Sequence, residues 1–218
     1  MARIVIFANG ELNQPGIVAQ KIRPADRIFC ADGGTRHALS MGFRPEIIVG
    51  DLDSLAPDLK SELEAGGVKL VRFPRDKDQT DLELALGIAT AEQPDEILLV
   101  AALGGRLDQM LANIFLLTRP EYASVRLTLI DGHQKALLLR GPERVTISGR
   151  PGSTVSLIPL SPIVEQVTLT GVNWPLTDET LVFGSTFTIS NTLTDYQASI
   201  RIGRGQVLLV QLDEDYEE

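Results

Sequence analysis

The chain has 218 residues, with 20 Lys+Arg against 29 Asp+Glu, so its formal net charge is −9. A content of 44% hydrophobic and 22% charged residues is that of an ordinary folded chain and excludes disordered and fibrous classes. The acidic balance argues against a nucleic-acid partner, which would need Lys and Arg to meet phosphates. No apolar run approaches the roughly 18–20 residues of a membrane span. The apolar stretch at the N-terminus is too short for a signal peptide, so the expected location is the cytoplasm, with no membrane partner. The single cysteine, Cys30, rules out an internal disulfide and a thiolate-rich zinc site. Residues 213–218 hold five of the acids and read as a solvated tail.

Short β-rich apolar runs open the chain and alternate with helical spacing. Strands are predicted at 3–8, 27–31, 46–49, 68–73, 96–101 and 125–130, and helices at 35–41, 57–64, 81–91 and 107–117. This alternation is the pattern of a parallel sheet with helices on both faces, because parallel strands need long crossovers. Runs such as Ile97-Leu98-Leu99-Val100 are apolar on both sides, as strands covered on both faces must be. Beyond about residue 141 the helical spacing ends. Thr-, Val-, Ser- and Ile-rich segments follow at 144–148, 154–159, 166–170, 186–190, 199–202 and 207–212, punctuated by Gly and Pro. The expected class is therefore α/β, a mostly parallel sheet followed by a smaller all-β sandwich, with domains at 1–134 and 135–218.

Ligands of open parallel sheets sit beyond the carboxyl ends of the strands. Four consecutive predicted strand ends carry Asp32-Gly33-Gly34, Gly50-Asp51-Leu52-Asp53-Ser54, then Asp78-Gln79-Thr80-Asp81, and Gly104-Gly105-Arg106-Leu107-Asp108. Two carboxylates about 5 Å apart repel by roughly 3 kcal/mol at an effective dielectric of 20, so gathering them calls for a hard cation such as magnesium. Each residue also has a plainer use. Thr80-Asp81-Leu82-Glu83 fits a capping box, Asp51 and Asp53 suit turns, and Gly-Gly pairs occur in any tight turn. Arg106 beside Asp108 is either a bidentate phosphate ligand or a surface ion pair. Neither the P-loop nor the dinucleotide fingerprint is present, so a nucleotide would be held by another arrangement.

These four motifs, in this order, resemble the thiamine pyrophosphokinase family. The likeness continues through Gly171-Val172-Asn173-Trp174-Pro175-Leu176, Phe183-Gly184 and Ser190-Asn191. The resemblance implies a homodimer that transfers the pyrophosphoryl group of ATP to the hydroxyl of thiamine, giving thiamine diphosphate and AMP. It implies magnesium ligands at Asp51, Asp53 and Asp81, with Arg106 and Asp108 completing the catalytic set. The nucleotide and phosphate region falls on Asp32, Gly33, Gly34, Asp78, Thr80, Gly104, Gly105 and Arg106. Trp174, Ser190 and Asn191 of the β domain would bind thiamine at a site between subunits. Trp174 is then a flat platform for the cationic thiamine rings, where a plain reading of the residue is a sandwich-core tryptophan. Two departures stand out: the basic stretch Phe73-Pro74-Arg75-Asp76-Lys77, and Ile189 where many members carry a small hydroxyl residue.

Three rival readings share some of these residues. In a haloacid-dehalogenase-type phosphatase Asp51 would be the nucleophile and Asp53 the acid, but Ser54-Leu55 stands where Gly-Thr normally follows. A pterin diphosphokinase would share the α/β domain but not the β-domain motifs. A non-catalytic sensor would keep the fold without turnover, against which the intact Asp set speaks.

Overall fold

The protein is described from a computed structural model covering residues 2–212, so the acidic stretch 213–218 lies outside the described residues. The chain divides into two compact units between Gly132 and His133.

In the first unit, strands β1 (Arg3–Phe7), β2 (Arg27–Ala31), β3 (Ile47–Gly50), β4 (Lys69–Arg72), β5 (Glu96–Val100) and β6 (Arg126–Asp131) alternate with helices α1 (Pro15–Lys21), α2 (Gly34–Ser40), α3 (Pro57–Ala65), α4 (Asp81–Ala91) and α5 (Leu107–Leu116). All neighbouring pairs are parallel, in the order β6-β5-β1-β2-β3-β4. Chain order runs outward from β1 to β4 and then reverses, resuming on the other side of β1 at β5. Right-handed crossovers therefore put α1, α2 and α3 on one face and α4 and α5 on the other. The core agrees: Val5, Phe7, Cys30, Ile48 and Leu98 pack with Val18 of α1, Ala38 of α2 and Leu63 of α3. The alternate residues Ile6, Phe29, Val49 and Leu99 are also buried, and α4 lies against β1, β2 and β3. At the sheet edge β4 is only half-buried.

In the second unit, β7 (Gln134–Arg140), β9 (Thr154–Pro159), β14 (Gln206–Leu212) and the two-residue β12 (Asn191–Thr192) form one antiparallel layer. A second layer has β8 (Glu143–Ser148), β13 (Gln197–Ile202), β10 (Ile163–Thr170) and β11 (Leu176–Val182). Alternate residues of both layers, among them Leu139, Leu157, Leu209, Val145, Val164 and Ile200, share one core, as in a sandwich.

Several elements depart from the predicted ones. Helix α1, strands β7 and β11 and the two-residue β12 were not anticipated. In β11 only Leu176 and Leu181 are buried, and its pairing with β10 shifts register twice, so no clean alternation marks it. The predicted strand at 186–190 is instead a run of turns. Thr188 ties it to β9, donating from Oγ1 to the Leu157 carbonyl (2.5 Å) and accepting from the Leu157 N–H (3.0 Å). One residue anchored on each side of a turn does not make a ladder. No helix among the described residues is long and apolar enough to cross a membrane.

Candidate active site

The carboxyl ends of β1, β2 and β5, with the start of α4, surround a cavity of about 470 Å³. It lies where the strand order reverses, between β1 and β5, the position where open parallel sheets form a crevice. Asp32 follows β2 in a left-handed conformation (φ 39°), and its carbonyl accepts hydrogen bonds from both the N–H and the hydroxyl of Thr35. Gly34 must lack a side chain, since a Cβ there would strike the Phe7 carbonyl; α2 thus starts directly on the β1 backbone. Gly50 opens the turn after β3, and a Cβ on it would meet Asp32 and Asp81. Removing that one methyl group is what lets loops from β2, β3 and α4 bring their carboxylates together.

Asp32, Asp51 and Asp53 offer carboxylate oxygens that all lie within 4.8 Å of one another. Asp32 is only 8% exposed and its Oδ1 is buried without a hydrogen bond, while the buried Oδ1 of Asp81 has the Lys77 ammonium beside it. Burial pushes the Asp32 carboxyl up; a Ser54 hydrogen bond opposes this, and the charges of Asp81, Asp51 and Asp53 add to it. Asp51 moves the other way: the Asp53 N–H donates to its Oδ1 (3.0 Å) and, against the effect of burial, holds it below the usual carboxylate range, with Lys77 and Arg75 contributing. A buried carboxylate oxygen without a partner on Asp32, crowded by further acids, is a donor set suited to a hard divalent cation such as magnesium. The three oxygens grouped most tightly include Asp32, which the resemblance gave to the nucleotide region, while Asp81 sits beside them with Lys77 Nζ 3.0 Å from its Oδ1.

The other predicted residues are placed as follows. Thr80 lines the cavity and caps α4, its hydroxyl accepting the Glu83 N–H at 3.2 Å. Gly104 (φ 76°) lines it too, and Gly105 (φ 67°) is its neighbour in the same turn. Arg106 and Asp108 stand on the cavity rim as a bidentate pair, with Nε–Oδ1 at 3.1 Å and Nη2–Oδ2 at 2.5 Å, 70% and 66% exposed. The Arg106 hydrogen bond draws the Asp108 carboxyl down. Gly33 caps α2 under the Asn9 side chain. Asp78 is exposed and does not line the cavity. Sequence reasoning passed over the end of β1, although the same strand-end rule points at Ala8-Asn9-Gly10. There Gly10 N–H donates to the Ala101 carbonyl (2.7 Å), and Arg36 Nη2 reaches Asn9 Oδ1 (3.0 Å).

In the second unit Trp174 is 64% exposed, which excludes the sandwich-core reading. Asn191 is buried and clasps the Trp174 backbone, accepting its N–H (3.1 Å) and donating to its carbonyl (2.7 Å). Its amide is thus occupied in presenting the tryptophan. Ser190 is exposed and left-handed (φ 60°), its N–H donating to Ser156 Oγ at 2.9 Å.

An acid-lined crevice at the switch point of a parallel sheet defines an α/β protein whose ligand site lies at the strand ends. Residues 18–129 match the family model described as "Thiamin pyrophosphokinase, catalytic domain", and residues 143–207 that of "Thiamin pyrophosphokinase, vitamin B1 binding domain". Thiamine pyrophosphokinase of Bacillus subtilis (strain 168) is 32% identical over 180 residues, covering 83% of this chain and 84% of the relative. Thiamine pyrophosphokinase 1 of Oryza sativa subsp. japonica is 27% identical over 190 residues, covering 76% and 71%. The crystal structure of the Bacillus subtilis protein aligns with a TM-score of 0.86 at 28% identity, over 97% of this chain and 99% of that one. The chain belongs to the thiamine pyrophosphokinase family.

Proposed function

We propose that the chain transfers the pyrophosphoryl group of ATP to the hydroxyl of thiamine, releasing AMP, with magnesium as the required ion. The observation that supports this most is the meeting of Asp32, Asp51 and Asp53 within 4.8 Å, with Asp81 beside them, where Asp32 and Asp81 line the cavity. In such a transfer the protein's task is positioning and charge neutralisation. Magnesium, when bound, would neutralise phosphate charge and stabilise what develops in the transition state. Asp32, Asp51, Asp53 and Asp81 are the residues to hold it. Gly105 leaves its backbone open to a phosphate oxygen, Gly104 makes room for the Glu11 side chain packed against it, and Arg106 is positioned to exchange Asp108 for a phosphate. Trp174, presented by Asn191, is the platform for the cationic rings.

The reading extends to a homodimer with thiamine bound between subunits. Each unit leaves an apolar surface in water: Leu107, Leu111 and Phe115 at successive turns of α5, and Trp174, Phe183 and Phe187 on the β unit, all at least 40% exposed. A second copy would cover them. A cytoplasmic setting supplies both ATP and magnesium. The test is to incubate the chain with magnesium, ATP and thiamine and identify the nucleotide product. AMP formed only when thiamine is present is expected; ADP or free phosphate as the main product would reject the reading.

A further inference from the structure

The basic stretch before the third motif has no part in the chemistry above, yet one of its side chains enters the cavity. Lys77 belongs to the loop between β4 and α4, and its Nζ stands 3.0 Å from Asp81 Oδ1, with the two side chains 15% and 28% exposed. Although Lys77 and Asp81 are four residues apart, Lys77 precedes the helix that Asp81 begins, so the contact is made by loop geometry rather than by helical spacing. The loop folds back on itself through the Lys77 N–H to Arg75 carbonyl bond (3.2 Å). Its charge also helps to lower the Asp51 carboxyl. The cavity has one other basic lining residue, Arg106, and that is an exposed rim group already engaged with Asp108. Arg75 comes no nearer than 3.8 Å to Asp53, with both side chains mostly in water. Lys77 is thus the cation nearest the carboxylates.

From this arrangement we infer that Lys77 is the counter-ion of Asp81 in the empty site and a phosphate ligand in the loaded one. The inference rests on the proposed use of a divalent cation and ATP. The two positions exclude each other on charge grounds. A divalent ion beside Asp81 repels the ammonium, and a polyphosphate in the same cavity offers it new oxygen acceptors on a flexible four-carbon stem. Removing the ammonium should therefore move two affinities in opposite directions.

The experiment uses the whole chain, wild type and two variants, Lys77→Met and Lys77→Arg. Free manganese(II) is titrated against nucleotide-free protein and counted by electron paramagnetic resonance. ATP binding at saturating manganese is measured by calorimetry, with thermal unfolding as a check on folding. Lys77→Met should bind manganese alone about 5-fold or more tighter and ATP about 10-fold or more weaker, while Lys77→Arg stays within a few fold of wild type on both. A lysine that merely shaped the loop would weaken both when replaced. Affinities that fall together, or that do not move, overturn the inference. Wild-type protein that binds neither manganese nor ATP would remove the underlying functional reading as well, and is told apart by failing before any variant is compared.

Discussion

The acid cluster of the first unit and the tryptophan surface of the second are both incomplete, but in opposite ways. At the cluster the apolar side chains are buried and charge is left over: the buried Asp32 Oδ1 has no hydrogen bond, and the one cation on the Asp81 carboxylate, Lys77 at 3.0 Å, is set against four crowded acids. At Trp174 the local polar groups are satisfied through Asn191, and what remains is apolar surface in water. An unpaired buried charge calls for a small ion of opposite sign, whereas an exposed aromatic calls for a flat or apolar partner. The first region therefore stabilises a small cation and the second a flat or apolar group.

The largest effect of a single substitution is expected at the cluster. Asp53→Ala should lower turnover at least about 1,000-fold, because charge stabilisation of this kind is confined to a few preorganised groups. Assembly by size-exclusion chromatography and thermal unfolding should stay close to wild type, since Asp53 is exposed and its side chain supports no core. Retained activity would take Asp53 out of the site. A smaller effect is expected at the other region. Trp174→Ala should raise the KM for thiamine about 10-fold and leave the KM for ATP unchanged, in line with roughly 0.5–2 kcal/mol for a cation over an aromatic face. Asn191→Ala should reproduce part of that rise, because the amide presents the tryptophan loop. An unchanged thiamine KM in both variants would return this surface to a purely structural or assembly role.

How far these regions were legible in the sequence differs for the same physical reason. The parallel unit writes its strands as unbroken apolar runs, so β2 and α4 fall on their predicted bounds. Its strand-end rule then points at Asp32, Asp51 and Asp53 without coordinates. What the sequence does not carry is the distance between loops: that Gly50 admits both Asp32 and Asp81, or that Lys77 turns inward while Asp78 stays outside. In the sandwich, edges and bulges blur the alternation. β11 buries two of its seven residues and escapes notice, and Thr188, a residue with strand propensity, serves a turn. Asn191 could be singled out, but only geometry shows that its hydrogen bonds are spent on the Trp174 backbone.

The mildest test concerns stability rather than rate. Asp32 is a buried acid whose carboxyl is pushed up, so the folded state disfavours its charged form. The sign follows from linkage: an acid raised on folding contributes most below its unfolded pKa, and that contribution is lost as pH rises through the folded value. Asp32→Asn keeps the shape and removes the charge. The metal-free variant should therefore unfold about 2–4 °C higher than wild type at pH 7, if the unpaired group costs about 1 kcal/mol. The gap should close as pH is lowered and the wild-type carboxyl takes up its proton. Added magnesium should reverse the order, raising the wild-type midpoint by more than that of the variant, since ligand binding stabilises in proportion to affinity. A metal-free variant less stable than wild type at pH 7 would mean that Asp32 makes a favourable contact in its charged form. The cluster would then be a satisfied network, and its contrast with the tryptophan surface would no longer rest on leftover charge.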